Sequence, residues 1–252
     1  MPSPPGPPGA GGKEPMPIDE RPRLPLYCFP YGGAGASAYR GWGEELPSWI
    51  DVRPMQFPGR ENRFREPLHT RLEPLVAEMA GRVETKEPYA LFGHSLGALV
   101  AFELTRTLRR TGRPTPALLV LSGFGAPHLL RDRPRVTHLA PDAFWERVAA
   151  HYDVTPEVLA EPLLRELAYP VLRADLEIVE TYVHRPEAPL DLPLVAWGGV
   201  GDPEASEEQV TAWKEHSRQP VEVRIFPGGH FYVNSSRPAV LAALAEAARR
   251  AV

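Results

Sequence analysis

Short apolar runs, each about the length of a buried strand, recur along this chain and alternate with segments of helical pattern. The predicted strands are Leu24–Phe29, Ile50–Phe57, Tyr89–Phe92, Ala117–Ser122, Leu192–Trp197 and Val221–Phe226. The fourth run is continuously apolar up to its last residue, as interior parallel strands are, whereas the sixth alternates apolar and polar residues. The pattern therefore predicts a mostly parallel central sheet with helices on both faces, and the last strand near a sheet edge.

Helical periodicity fills the segments between these strands. From Leu72 to Val83, apolar residues recur three and four positions apart, which is the spacing of one buried face. A capping box at Ser206–Gln209 predicts the start of a helix that reaches about His216. The remaining predicted helices are Tyr39–Leu46, Ala98 to near Gly112, and Pro238–Arg250.

The stretch from about 128 to 186 contains no strand-like run and interrupts the alternation. Three helices are predicted in it, over Asp142–Tyr152, Pro156–Leu167 and Val171–Val183, with Thr155 as the N-cap before a proline. We interpret the block as a helical lid inserted over an active site and apolar enough to receive a hydrophobic chain. Ordinary helices that only cover the core are the alternative.

Composition limits the classes of protein that this chain can belong to. Its 252 residues, 43% hydrophobic and 24% charged, suit one α/β domain, and a net charge of −4 gives no nucleic-acid footprint. Residues 1–23 are rich in proline and glycine and are expected to form a disordered tail, with partner binding as the alternative. The domain is expected to cover 24–252.

Targeting signals and cysteine usage point to the cytoplasm. No apolar run of 18 residues is present, and the N-terminus lacks the apolar region of a signal peptide, so we expect no membrane span and a cytoplasmic location. Cys28 is the one cysteine and cannot form an internal disulfide. We expect it to be a buried thiol in a strand rather than a nucleophile.

The pentapeptide Gly93-His94-Ser95-Leu96-Gly97 has the form G-x-S-x-G and lies between a predicted strand and a predicted helix. A bare match of this kind arises by chance, but strand, tight turn and helix together are the context of a nucleophile elbow. Glycines suit this turn because it is too sharp for side chains and because the helix must pack close to the strand. Ser95 is therefore the predicted nucleophile, held in a strained conformation, and the side chain of His94 is expected to point away from it.

A serine hydroxyl needs a base, and the base in turn needs an acid. His230 follows the last predicted strand in a Gly-Gly-His loop, and Asp202 follows the fifth strand. Along the chain this gives the order Ser, acid, His, which is the order found in enzymes that have a nucleophile elbow. A structural loop histidine and a helix-capping aspartate are the alternatives. Aspartates of the helical block, among them Asp175, are set aside because they do not follow a strand.

A glycine cluster follows the first strand, in Pro30–Ser37. It is not G-x-G-x-x-G, so we favour a loop that supplies backbone N–H groups to an oxyanion hole over a phosphate-binding loop. The predicted donors are the N–H groups of Gly32 and Leu96, the latter being the residue after the nucleophile. The sequence contains no H-E-x-x-H or C-x-x-C motif, and we expect no metal and no bound cofactor.

Taken together, six segments resemble the type II thioesterases, stand-alone α/β-hydrolases that accompany polyketide synthases and nonribosomal peptide synthetases. The segments are Phe29–Ala34, Phe57–Arg60, Gly93–Ala98, Ala143–Trp145, Gly201–Pro203 and Pro227–Phe231. The resemblance, which runs from about Leu24 to the C-terminus, implies hydrolysis of aberrant acyl groups from the phosphopantetheine arm of acyl or peptidyl carrier proteins. It implies the same roles for Ser95, Asp202, His230, Gly32 and Leu96.

One departure from the family pattern lies at Tyr31 and Gly32, where many members have histidine and alanine. Because backbone N–H groups act there, we expect the chemistry to survive. Three alternatives stay open: a general carboxylesterase or lipase, a catalytically silent carrier-binding module, and acyl transfer on the same triad. We expect a monomer that binds neither nucleic acid nor membranes.

Overall fold

A single sheet of parallel strands forms the centre of the structure, a computed structural model that describes residues 23–86, 88–130, 135–152, 154 and 156–252. Its strands are β1 (Leu24–Phe29), β2 (Ile50–Pro54), β3 (Ala90–His94), β4 (Leu118–Ser122), β5 (Leu194–Gly199) and β6 (Glu222–Phe226). They lie in the order β2-β1-β3-β4-β5-β6, and every neighbouring pair is parallel. The predicted parallel sheet is confirmed, and β6 lies at an edge as its alternating pattern indicated.

Helices pack against the sheet and follow most of its strands. Within the described residues they are α1 (Trp42–Glu45), α2 (Leu72–Arg82), α3 (Leu96–Arg110), α4 (Pro141–His151), α5 (Pro156–Ala160), α6 (Pro162–Thr181), α7 (Glu207–Thr211), α8 (Tyr232–Ser235) and α9 (Arg237–Ala251). The helix predicted over Tyr39–Leu46 is shorter than expected, since only α1 is α-helical there. Among the helices described, none combines the length and apolarity needed to cross a membrane.

Both faces of the sheet are buried, which explains why its inner strands are apolar at successive positions. In β4, Leu119 and Leu121 belong to the core cluster that includes α2 and α3. Leu118 and Val120 point the opposite way, into the cluster that includes α9. Successive side chains of a strand alternate between faces, so each helical layer covers one half of every strand.

The helical block differs from its predicted boundaries. The predicted helices Pro156–Leu167 and Val171–Val183 are wrong: the break falls at Glu161, whose backbone is extended, and α6 continues through Pro170. Pro162 is tolerated because the first position of a helix needs no N–H donor. An interior proline costs about 3 kcal/mol, and α6 offsets this by burying Leu176 and Ile178. The proposed cap Thr155 lies outside the described residues, as does the predicted tail apart from Arg23.

Strand order fixes where a site can form. β2 lies on one side of β1 and all later strands lie on the other, so the loops after β1 and β3 diverge at the carboxyl edge of the sheet. Ligands of open parallel sheets bind in the crevice at such a switch point. The glycine loop follows β1 and Ser95 follows β3, so the two predicted halves of the site begin on adjacent strands.

Candidate active site

Ser95 lies on a sharp turn between β3 and α3. Its backbone angles are φ 54° and ψ −121°, a positive φ that non-glycine residues rarely adopt. The flanking glycines permit the turn because side chains there would collide with backbone. A Cβ on Gly93 would lie 2.1 Å from the Gly97 carbonyl oxygen, and a Cβ on Gly97 would lie 2.0 Å from the Phe29 carbonyl oxygen.

Asp202 and His230 are in contact at the carboxyl edge of the sheet, in the loops that follow β5 and β6. The Nδ1 atom of His230 lies 2.9 Å from Oδ2 and 3.1 Å from Oδ1 of Asp202, and both residues are buried. Asp202 Oδ1 also accepts the N–H of Glu204 at 2.8 Å, so the carboxylate fixes its own turn as well. Asp202 therefore contacts His230 and organises a turn, whereas the N-cap of α7 is Ser206, so the alternative of a helix-capping aspartate is wrong.

Ser95 and His230 line the same cavity, which has a volume of about 280 Å³. The glycine loop contributes Gly32 and Gly33 to its wall. The helical block supplies a largely apolar wall, made of Tyr152, Val154, Val158, Ala168, Leu172 and Leu176. The block thus covers the site with the kind of surface that suits a hydrophobic chain, while its role as an inserted lid stays a prediction.

Backbone N–H groups beside Ser95 differ in whether they already have an acceptor. Gly33 donates its N–H to the Asp175 carboxylate at 2.7 Å. In the part of the chain that the structure describes, the N–H groups of Gly32 and Leu96 have no acceptor. Leu96 is also the first residue of α3, where the helix dipole favours negative charge. This arrangement is compatible with the predicted oxyanion donors, whose role stays a prediction.

The structure brings side chains to the site that the sequence analysis did not assign. Glu204 lines the cavity, and its Oε1 lies 3.5 Å from Nε2 of His230. Asp175 reaches the glycine loop from α6 and binds Arg60. Asp175 gave no sequence signal, since it is one of several aspartates in the helical block, whereas Arg60 lies in one of the segments that carried the family resemblance.

His94 packs behind the site. Its Nδ1 lies 2.9 Å from Ser122 Oγ, and its ring centroid is 5.1 Å from that of His230. Burial lowers the pKa of His94 well below its ordinary value, and the adjacent His230 ring lowers it further. His94 therefore supports the position of His230 as a neutral, buried side chain.

A second histidine group lies where the helical block joins the core. His128 Nδ1 is 2.8 Å from His216 Nε2, and the rings of His184 and His216 have their centroids 5.2 Å apart. Burial, followed by the charges of the two neighbouring rings, lowers the pKa of His216 to about 4. Across the described ranges, no group of three or more His, Cys, Asp or Glu side chains is arranged to hold a metal ion.

Known proteins resemble this chain along nearly its whole described length. A family model described as a thioesterase domain matches residues 24–248. Linear gramicidin dehydrogenase LgrE of Brevibacillus parabrevis is 38% identical over 223 residues, which are 86% of this chain and 84% of that protein.

Two solved thioesterase structures share the fold. The RedJ thioesterase from the prodiginine biosynthetic pathway of Streptomyces coelicolor has a TM-score of 0.84 and 39% identity, covering 96% of each chain. The type II thioesterase BorB from the borrelidin biosynthetic cluster has a TM-score of 0.80 and 32% identity, covering 90% of this chain and 95% of that one. The predicted α/β-hydrolase fold is thereby confirmed.

Proposed function

This chain belongs to the thioesterase family, and we propose that it hydrolyses acyl thioesters on the phosphopantetheine arm of acyl or peptidyl carrier proteins. One observation carries the proposal: the strained Ser95 and the Asp202-bound His230 line one cavity with Gly32. Two of the similar proteins belong by name to prodiginine and borrelidin biosynthesis, and a third is named after linear gramicidin. The reaction is accordingly the removal of aberrant acyl groups during polyketide or nonribosomal peptide synthesis.

Acylation begins at Ser95. His230 Nε2 takes the hydroxyl proton while Oγ forms a bond to the thioester carbonyl carbon. Asp202, on Nδ1, keeps the ring in the required tautomer and stabilises the imidazolium. As the carbon–sulfur bond breaks, His230 returns the proton to the departing thiolate. A thiol leaves far more readily than an amine, so the leaving group needs no strong acid.

The negative charge that develops on the carbonyl oxygen needs donors already in position. The N–H groups of Gly32 and Leu96 serve this role in the proposal, from the loop after β1 and the start of α3. Such donors are effective because they do not reorganise during the reaction, and loss of one donor typically costs about 10²–10³ in kcat. The same pair serves both steps, since each passes through a tetrahedral oxyanion.

Hydrolysis of the acyl-enzyme completes the cycle. A water molecule gives a proton to His230 Nε2 as its oxygen attacks the acyl carbon, and the proton then returns to Ser95 Oγ when the ester bond breaks. The carrier leaves with a free thiol and the acyl group leaves as a carboxylic acid. Acyl transfer would differ only in the second nucleophile, an alcohol or amine in place of water.

The dehydrogenase activity in the name of LgrE is not extended to this chain. A nicotinamide-dependent dehydrogenase binds a dinucleotide, and glycine loops bind its pyrophosphate through free backbone N–H groups. Here the N–H of Gly33 is bound to the Asp175 carboxylate, which presents negative charge to the loop. The loop also lacks the G-x-G-x-x-G pattern.

Partner and location follow from the same proposal. The partner is a carrier protein, which brings the acyl group on its own phosphopantetheine, so the enzyme needs no resident cofactor or metal. A monomer in the cytoplasm is part of the proposal, and light scattering of the purified chain tests the monomer directly.

The deciding experiment loads a carrier protein with an acyl-phosphopantetheine and follows unloading by intact mass spectrometry. Ser95→Ala should abolish unloading, while Ser206→Ala, a serine that only caps α7, should unload at the wild-type rate. Unloading should be much faster than turnover of a nitrophenyl ester. Good ester turnover with a loaded carrier would favour a general esterase, and no Ser95-dependent turnover of either substrate would favour a silent binding module.

The small product identifies the second nucleophile. A free carboxylic acid supports hydrolysis, whereas an ester or amide formed with an added alcohol or amine supports acyl transfer. Product analysis in the presence and absence of such acceptors therefore separates the two outcomes on the same triad.

A further inference from the structure

A buried ion pair joins the helical block to Arg60, which lies in the segment that follows β2. Asp175 on α6 is 1% exposed and Arg60 is 7% exposed. The guanidinium binds both carboxylate oxygens, with Nη1 to Oδ2 at 2.5 Å and Nη2 to Oδ1 at 2.8 Å, across 115 residues of sequence. Bidentate pairs of this kind fix orientation as well as distance.

The same carboxylate also holds the loop backbone. Asp175 Oδ2 accepts the N–H of Gly33 at 2.7 Å, and Arg60 Nη1 donates to the Ala34 carbonyl at 3.3 Å. Gly33 has a φ of +81°, which favours glycine. Two consecutive residues of the loop are thus held by one charged pair, directly after Gly32.

Holding Gly33 in this way has two consequences for the reaction. Its N–H is occupied and does not compete with that of Gly32 for the developing oxyanion. The same bond fixes the direction of the Gly32–Gly33 peptide. It thereby limits the backbone rotations of Gly32, which as a glycine is otherwise free to turn its own N–H. The charge of Asp175 close to an oxyanion would oppose the reaction, and Arg60 neutralises it.

We propose that Asp175 and Arg60 are positioning residues for the oxyanion hole, through which helix α6 sets the direction of the Gly32 N–H. This inference rests on the proposed function, in which Gly32 stabilises the oxyanion. A purely structural pair would hold α6 on the domain without affecting the transition state. The two possibilities differ in what happens when the ion pair is replaced by apolar side chains.

The test compares Asp175→Ala with the double variant Arg60→Met/Asp175→Leu. Buried ion pairs can often be replaced by apolar residues without loss of stability, so the double variant is expected to fold even where the single one does not. Both remove the acceptor of the Gly33 N–H. We expect kcat on an acyl thioester to fall by about 100-fold in both, with KM changed less than about threefold.

An inhibitor pair reports on the oxyanion hole itself. A medium-chain alkyl trifluoromethyl ketone forms a hemiketal oxyanion with Ser95, whereas the matching methyl ketone binds without one. The affinity for the fluorinated ketone should fall by the same factor as kcat, and that for the methyl ketone should not change. Glu177 lies on the same helix as Asp175 and forms an exposed pair with Arg71. Glu177→Ala breaks that pair, is the matched control and should behave as wild type.

If the folded double variant has the kcat and the fluorinated-ketone affinity of wild type, the inference is overturned. Asp175 and Arg60 would then have only a structural role. Failure of the proposed function gives a different result. In that case wild type does not unload a carrier protein, yet its covalent reaction with the fluorinated ketone, followed by ¹⁹F NMR, still reports whether Asp175 affects the oxyanion hole.

Discussion

The close approach of α3 to the end of β1 is the feature most open to a direct test. Gly97→Ala would add a Cβ 2.0 Å from the Phe29 carbonyl oxygen and 2.8 Å from the Pro30 carbonyl oxygen. Both obstacles are backbone atoms and cannot rotate away. Ordinary contact begins at 3.4 Å, so the helix and the strand must separate by about 1.4 Å.

This separation acts on both halves of the site. Gly97 lies two residues after Ser95, and Pro30 begins the glycine loop. Ser95 Oγ would therefore move away from the Gly32 N–H by about 1 Å, a displacement that costs about 100-fold in rate when reacting groups must be aligned. Overpacking of this kind costs about 1–3 kcal/mol of stability, too little to unfold a domain of ordinary stability.

The assay measures kcat/KM on an acyl thioester and the free energy of unfolding in urea. Gly81→Ala is the matched control, since no heavy atom lies within 4 Å of the added Cβ in α2. It should stabilise the protein by about 0.5–1 kcal/mol and leave kcat/KM unchanged. Near-wild-type kcat/KM in Gly97→Ala would refute the argument that this contact positions Ser95.

Three further predictions concern charge and capping. Glu204→Gln removes a carboxylate 3.5 Å from His230 Nε2, which in the proposed mechanism faces the imidazolium formed during the reaction, so kcat/KM on an acyl thioester should fall by about tenfold; an unchanged kcat/KM would contradict a role for this contact. Burial lowers the pKa of His216 from 6.5 to about 4 in the folded protein. Its contribution to the free energy of unfolding is therefore complete above pH 6.5 and is lost as the pH falls towards 4. His216→Phe should therefore lose less stability than wild type between pH 7 and pH 5 in urea titrations, and an identical loss would argue against it. Ser206→Ala breaks the capping box of α7 and should cost about 1 kcal/mol of unfolding free energy with no change in kcat/KM, which a drop in activity would contradict.

The local pattern of apolar and polar residues was sufficient to predict the sheet, because a strand that is buried on both faces is apolar at successive positions. Leu118 to Leu121 are apolar at every position, and they face two separate cores. The same reasoning located Asp202 and His230, since the ends of parallel strands share one edge of a sheet. Their contact at 2.9 Å required nothing beyond that placement.

Boundaries within the helical block could not be predicted in this way. A proline is a break signal in isolation, yet Pro162 begins α6 and Pro170 lies inside it. Which of these positions interrupts the helix depends on what the surrounding turn can bury. The buried face of α6 beyond Pro170 includes Ala174 and Ile178, and tertiary packing overrides local propensity there.

Asp175 shows most clearly what a strand-based argument leaves out. It follows no strand, so the pattern of strands and helices gives it no role, and 142 residues separate it from Gly33, whose N–H it accepts. An isolated buried carboxylate is costly, so its burial at 1% exposure requires a cation and further donors. Arg60 and Gly33 meet that requirement, and both belong to segments that already pointed to the site. A charged residue of the helical block that is buried therefore indicates a contact with the segments it packs against, although only the folded chain identifies which of the charged residues is buried.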